Sequence, residues 1–448
     1  MITQNKSVNL MTEGSIYSKI IKFAIPIFIG QLFQQLYNTV DSLIVGNMIG
    51  RTALAAVSST GTLVFLVIGF FFGFSIGAGI VISKYIGAKD DEKTTMSVHT
   101  AVAMGIILSA LITFLGVCFS PFMLRLIDTP GDVFGEASAY LRVYFAGCTG
   151  LIMYNTLVGI LQASGDSKHP LMYLIISSVT NVFLDVFFIG VFKMGVEGAA
   201  LATILSQFLS MFLSLRRLMK SDEVIKIELK KVRLHAPIVR EIIKFGLPTA
   251  LQNCIIDVAN ILIQSYVNSF GSLAMAGIGA YVKVEGFAFL PVTSFSLAMS
   301  TYISQNLGAG KKDRMRKGIA FGLLCTVILI ELIGVVIFIA APNLISAFNS
   351  EPEVVYYGVM RARVTALFFF LMGFSNVTAS IMRGVGKPII PTVVMLVCWC
   401  AVRVLVFTTI GQVYHDIRLT CWIYPITWGL STVVYTICLV RLRVEKTI

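Results

Sequence analysis

The sequence predicts an all-α membrane protein of about twelve transmembrane helices, arranged as two pseudo-symmetric six-helix lobes. Three observations carry this. Of the 448 residues, 56% are hydrophobic and only 13% charged, with a mean hydropathy of +0.85; soluble domains hold roughly 25% charge. Apolar runs of about 20 residues or more, long enough to cross a bilayer, recur along the chain. The halves also repeat: IIKFAIP at 20–26 returns as IIKFGLP at 242–248, IGAKDDEK at 86–93 as LGAGKKDR at 307–314, and Gly165 in QASGDSKHP as Gly386 in MRGVGKP. The offset is 222 residues for the first pair and 221 for the others, a constancy that chance does not produce. An even number of spans per half makes the repeat parallel, about an axis along the membrane normal, and puts substrate sites between the halves near the midplane.

The first span, 20–46, sets the theme. Pro26 near its start removes a backbone donor and invites a bend. Asp41 lies well inside it, where a charge costs a few kcal/mol on insertion scales (about 2.5–3.5) and marks a functional pathway by default. Further spans follow at 53–83, 95–120, 134–162, 170–191 and 196–218, then at 240–267, 273–304, 317–340, 354–381, 389–411 and 417–440. Short links rich in Gly, Pro and charge join them, as at 87–93 and 308–313. The polar stretch 220–240 is the longest internal link, dividing an N-lobe (1–219) and a linker (220–239) from a C-lobe (240–448).

Basic residues set the orientation. With the N-terminus inside, one side collects Lys6, Lys19, Lys22, Lys84, Lys89, Lys93, Lys168, the blocks 216–244 and 311–317, then Arg383, Lys387, Arg441, Arg443 and Lys446. The other receives only Arg51, Arg125, Arg142, Lys193, Arg361, Arg363 and Arg418. The positive-inside rule then predicts an inner-membrane protein with both termini cytoplasmic. The net charge of +12 is explained by these links, and no basic, aromatic-interleaved face suggests nucleic acid. The eight cysteines fall in or beside apolar runs without paired loop spacing, reading as small buried hydrophobes; Cys398 and Cys400, two apart, face different sides of a helix. Residues 1–18 have no apolar core of a cleavable leader.

Few polar residues sit at depth. Asn181 and Asp185 in TNVFLD are four apart and share a helix face. Thr203 lies in ALATILSQ, Tyr37 one turn before Asp41, and Tyr140 and Asn155 on the fourth span. Two carboxylates, an amide and a hydroxyl are hard oxygen ligands suited to a small cation. The same carboxylates, if close, would hold a proton by mutual repulsion. Alone, Asn181, Thr203 and Tyr140 read equally well as helix–helix glue. At the repeat offset Asp41 meets Ile263, Asn181 meets Val402 and Asp185 meets Val406, so the chemistry is expected to be asymmetric. The second half carries Asp257, Lys283, Glu285, Glu331 and Arg403 instead, with Lys283 and Glu285 placed to pair or snorkel and Glu331 without a visible partner. Five deep acids against two bases predict a cavity that attracts cations. His99, His169, His235 and His415 sit at span ends or links, away from a midplane relay. No Walker loop is present, so an ion gradient is the expected energy source and no cofactor is implied.

QQLYNTVDSLIVG around Asp41, the GAK and GAG links, RGVGKP at 383–388 and the six-plus-six organisation together resemble the multidrug and toxic compound extrusion (MATE) transporters. The resemblance spans essentially the whole chain. It implies a V of two lobes and export of lipophilic, mostly cationic compounds in exchange for Na⁺ or H⁺, by a monomer among membrane lipids rather than an enzyme. It also implies a DinF-like cation site at Asp41, Asn181, Asp185 and Thr203, with Tyr37, Tyr140 and Asn155 in the surrounding network. Against the NorM-like branch, Asp257 stands where Glu is usual and Met372 where a second acid is expected; Asp257 and Glu285 are the C-lobe acids available to substrate or proton. Neutralising Asp41 and Asp185 is expected to release the drug and bend the first helix near Pro26. A lipid-linked oligosaccharide flippase of the same superfamily is the main alternative, separated by whether loss of the chain alters envelope polymers or only drug tolerance. An intramembrane enzyme would need a His or metal cluster at depth, and a passive channel would show conductance without counterflow.

Overall fold

The computed structural model describes residues 10–127 and 129–444; Lys6, Lys446 and the side chain of Arg51 lie outside the described residues. The helices are α1 (Ile16–Met48), α2 (Arg51–Gly87), α3 (Asp91–Leu126), α4 (Gly131–Ala146), α5 (Cys148–Ala163), α6 (Lys168–Asp185) and α7 (Val196–Met219). They continue as α8 (Ala236–Asn268), α9 (Ser272–Gly308), α10 (Lys312–Ser346), α11 (Pro352–Thr365), α12 (Phe369–Gly384), α13 (Ile389–Met395), α14 (Val402–Thr408), α15 (Ile410–Val413) and α16 (Arg418–Val444). Among the described residues 11 helical spans are long and apolar enough to cross a membrane, and a bent pair, α4 with α5, makes up to 12. The protein is thus an all-helical, multi-pass membrane protein.

The breaks inside spans have local causes. The fourth span bends by 47° between α4 and α5, at Gly147, where a Cβ would stand 2.2 Å from the Ile204 side chain. Between α11 and α12 a 3₁₀ turn, Ala366–Phe368, resets the hydrogen-bond ladder and leaves the first N–H groups of α12 without carbonyls. Glu331 of α10 supplies the missing acceptor, taking the Phe370 N–H at 3.0 Å. The partner that sequence left open is a backbone amide. Two π-helical turns, Val186–Val191 after α6 and Leu396–Ala401 before α14, widen the fifth and eleventh spans.

The repeat is visible in the backbone. Gly165 and Gly386 both take left-handed φ, 87° and 95°, the region that side chains avoid. In the α2–α3 and α9–α10 links, Lys89 (φ 56°) and Gly310 (φ 66°) occupy equivalent places, and Asp90 caps α3 by accepting the Lys93 N–H at 3.0 Å.

Contacts divide the chain into two units, residues 29–250 with Leu10, and residues 11–28 with 251–444. The long helices α1 and α8 therefore each change unit a few residues after a proline, Pro26 and Pro248. In unit 1 the first half of α8 packs on α2 through glycines: a Cβ at Gly73 or Gly77 would lie 2.5 Å from Ala250 N or 2.6 Å from Gly246 N. Small residues one turn apart are what close membrane-helix packing requires. The chain leading into α8 is tied down by Glu228 N–H donating to His99 Nε2 (3.0 Å) and by Thr100 Oγ1 against His235 Nδ1 (3.0 Å). Tyr85 Oη then donates to Glu241 of α8 (2.8 Å). In unit 2 the first half of α1 shares a core of Ile20, Phe23, Ala24 and Ile27 with Ala298 and Tyr302 of α9. Its lead-in is tied by Met11 N–H to Gln305 (2.8 Å) and by Arg314 to the carbonyls of Gly14 (2.8 Å) and Met11 (3.1 Å). Gln305 and Asn306, which donates to Met11 O at 3.4 Å, stand one repeat from Lys84 and Tyr85 of α2, so the same position in each half anchors the start of the opposite half, at Met11 ahead of α1 and at Glu241 in the first turns of α8.

Two measurements test this description. Gly386 has open space around its missing Cβ, so Gly386→Ala is expected to destabilise through backbone strain alone, by about 1–2 kcal/mol, read as a lower melting temperature. His235 is held below the ordinary histidine value of 6.5, first by desolvation and then by the charges of Arg233 and His99. A lowered folded-state value favours the neutral ring, so docking of the linker is complete above 6.5 and weakens as pH falls through the lowered value. Hydrogen exchange at 226–235, corrected for intrinsic rates, should accelerate from about pH 7 to about pH 5, and His235→Gln should remove that step.

Candidate functional site

Helical periodicity builds the site in unit 1. Four helices each present two polar residues one turn apart: Tyr37 and Asp41 on α1, Tyr140 and Tyr144 on α4, Asn181 and Asp185 on α6, Thr203 and Gln207 on α7. Residues four apart lie one above the other on a helix, so each pair points in one direction. Asp185, Asn181, Tyr140 and Gln207 are buried to 0%, 2%, 7% and 7% exposure, and Asp41 is half-buried. The Asp41 and Asp185 carboxyls interact directly with each other, and Tyr37 faces both of them as well as Gln34 and Gln207. Tyr140 and Tyr144 stack at 6.0 Å between ring centres and stand within electrostatic reach of Asp41 and Tyr37.

Hydrogen bonding decides what the site can do. Asn181 Nδ2 donates to Thr203 Oγ1 at 3.5 Å, and that hydroxyl donates to Ala199 O at 3.1 Å. The amide nitrogen is thereby engaged and Asn181 Oδ1 is left without a partner. Five buried oxygens have no hydrogen-bond donor among the described residues: Asp41 Oδ1, both Asp185 oxygens, Asn181 Oδ1 and Gln207 Oε1. Burying one unsatisfied acceptor is costly and burying two unpaired carboxylates far more so. A positive species shared among these oxygens would offset that cost. An all-oxygen set of carboxylates, amides and hydroxyls fits a hard monovalent cation or a proton and lacks the nitrogen or sulfur that softer metals select. The π turn starting at Val186, directly after Asp185, is a distortion common at functional sites.

The structure thus brings Asp41, Asn181, Asp185, Thr203, Tyr37 and Tyr140 together. Asn155 is not drawn in the same way, since its Nδ2 donates to Leu151 O of its own helix at 2.9 Å. Gln207 and Tyr144 were missed by sequence reasoning, although each lies four residues beyond a residue it singled out. Pro26 lies inside α1 as expected.

In unit 2 the deep charges differ from expectation. Arg361, counted with the outer charges, is buried to 3% exposure, because α11 runs through Thr365 and carries it beneath Tyr424. Arg383, counted with the inner links, is buried too, donating to Gln252 (3.2 Å) and Ser380 (2.8 Å). Lys283 is exposed and does not pair with Glu285, which is 8% exposed and accepts from Tyr281 Oη at 3.4 Å. The excess of deep acid expected from sequence therefore does not hold in unit 2, where Arg361, Arg403 and Glu285 line one cavity. Asp257 is half-buried on α8, and Met372 belongs to the apolar core.

A family profile, MatE, matches residues 26–187 and again 248–408, one match for each half of the repeat. The chain belongs to the MatE family. This MatE chain is 30% identical over 395 residues to the probable multidrug resistance protein YpnP of Bacillus subtilis, covering 88% of each. It is 28% identical over 440 residues to the probable multidrug resistance protein YoeA of the same organism, covering 96% of this chain and 94% of the relative. Its fold superposes with a TM-score of 0.90, at 24% identity, on an outward-facing multidrug resistance MATE family transporter of the MOP superfamily, over 99% of this chain and 98% of that one.

If the five oxygens need a positive partner, removing one charge relieves the need. Asp185→Asn is expected to raise the melting temperature in alkaline, sodium-free buffer and to abolish the further stabilisation that sodium or acid confers on the unaltered protein.

Proposed function

We propose that the chain is a multidrug efflux antiporter that expels lipophilic, mostly cationic compounds in exchange for Na⁺ or H⁺ taken up at the unit 1 site. The observation that carries the reading is the set of five buried oxygens without donors around Asp41 and Asp185. The names of the bacterial relatives, probable multidrug resistance proteins, support a multidrug cargo.

In this reading Asp41, Asn181, Asp185 and Thr203 form a DinF-like coupling site, and Tyr37 and Tyr140 supply neighbouring hydroxyls. Asn155 would have to release Leu151 O to join them. The ion and a cationic drug compete for the same negative charge, so loading the ion weakens hold on the drug. Pro26 removes the hydrogen bond that would tie residue 26 back to residue 22, giving α1 a place to bend as the site is neutralised. Each ligand shifts the two conformations only by its difference in affinity for them. Asp257 remains as an acid for substrate or proton in unit 2. The lobes divide at the 220–239 linker, the protein acts as a monomer, and both termini face the cytoplasm.

Reconstituted vesicles preloaded with ethidium and given an imposed sodium gradient or an imposed pH gradient test this reading. Efflux should follow at least one gradient, and Asp41→Asn should abolish it at unchanged expression. Normal efflux from that variant would overturn the proposal.

A further inference from the structure

Unit 2 contains a cavity of about 280 Å³, just below the roughly 300–1,000 Å³ of drug-sized pockets. Its lining is unusual for a site meant for cations. Two guanidinium groups, those of Arg361 and Arg403, and one carboxylate, that of Glu285, face it together with Tyr424, Trp399 and Trp428. Arg361 and Arg403 are buried to 3% and 2% exposure, and neither forms an ion pair among the described residues. Arg403 is held in place, donating to Thr427 Oγ1 through Nε and Nη2 at 3.3 and 3.2 Å and to Asn260 at 3.5 Å. Among the described residues Arg361 has no such bonds: its Nε is buried without an acceptor. Both cations instead lie against the Tyr424 ring, at 4.3 Å for Arg403 and 4.6 Å for Arg361. Tyr281 and Trp399 add a second ring to each, at 5.7 Å and 5.3 Å.

Buried like charges this close repel, and aromatic faces offset only part of the cost of their desolvation. One carboxylate leaves the cavity with an excess positive charge. An oxyanion is the group that two guanidinia recognise, because their forked N–H groups match a pair of carboxylate or phosphate oxygens. We propose that this cavity binds the carboxylate or phosphate head of an amphipathic organic anion, with its apolar body against Trp399 and Trp428. The protein's ligands are then not confined to cations, and Glu285 acts as the counter-charge that keeps the anion exchangeable. The lining belongs wholly to unit 2, and the proposal does not depend on which ion the unit 1 oxygens take.

The test uses the purified full-length protein in nanodiscs and two probes of one ring system and opposite charge, 1-naphthoate and 1-naphthylmethylammonium. Binding is followed by calorimetry and by quenching of tryptophan fluorescence. Naphthoate is expected to bind saturably and at least about tenfold tighter than the ammonium, a preference the size of one charge-assisted contact. Arg361→Met should weaken naphthoate about tenfold or more. Glu285→Gln, which removes no cation, should tighten it several-fold, so the outcome does not rest on the arginine variant folding. Nanodiscs of phosphatidylglycerol and of phosphatidylcholine identify the source of the anion. Competition by the anionic lipid assigns the site to a lipid headgroup, and equal binding in both assigns it to soluble anions. Equal affinity for the two naphthyl probes, or naphthoate affinity unmoved by Glu285→Gln, would overturn the proposal.

Discussion

The structure depends on one electrostatic constraint: two carboxyl groups, Asp41 and Asp185, face each other inside a helical bundle, and three of their four oxygens are buried with no hydrogen-bond partner among the described residues. In water the same pair would be trivial. Where the surroundings solvate poorly, two negative charges in contact demand neutralisation. Among the described residues no donor reaches these buried oxygens, in part because neighbouring polar groups are spent elsewhere. Thr203 gives its proton to its own helix, and Asn181 gives its amide hydrogens to Thr203. The site is left rich in acceptors, which is the basis of the proposed binding of a small positive species.

The rest of the fold supports that constraint by repetition with variation. The two halves share a backbone, as the left-handed glycines at 165 and 386 and the matched lead-in anchors show. They differ where chemistry sits. Within one residue of the position equivalent to Asn181, the second half carries Arg403, and its cavity gathers guanidinium groups where the first gathers carboxyls. In each unit a π turn adjoins the polar cluster: Asp185 stands directly before one, while the other contains Trp399 and ends two residues before Arg403. Duplication thus provided two similar scaffolds, and divergence of a few buried side chains gave them opposite charge.

Much of this was legible in the sequence, for physical reasons. Apolar runs that must span a bilayer announce themselves, and a carboxylate inside one is too costly to be incidental, so Asp41 and Asp185 stood out. Helical spacing then placed Asn181 with Asp185. The same rule, applied once more, would have added Gln207 to Thr203 and Tyr144 to Tyr140. Other features were illegible because they depend on tertiary packing. Arg361 looks like a charge at a span end, and only the continuation of α11 beneath Tyr424 shows it to be buried. The acceptor role of Glu331 required knowing that a 3₁₀ turn frees the Phe370 amide. The bend falls at Gly147, where the close approach of Ile204, a residue on another helix, leaves no room for a side chain.

The claim at the centre is that the facing acids of unit 1 are never both charged and alone. Infrared difference spectroscopy on the purified protein tests it directly, by following the carbonyl band of a protonated carboxylic acid as sodium is added. A band is expected in sodium-free buffer at neutral pH that disappears when sodium replaces the proton or when Asp185 is replaced by asparagine, or else, if the site takes only protons, a band indifferent to sodium that is lost on alkalinisation. Two ionised carboxylates in sodium-free buffer, with no protonated-acid band at any pH near neutrality, would contradict it.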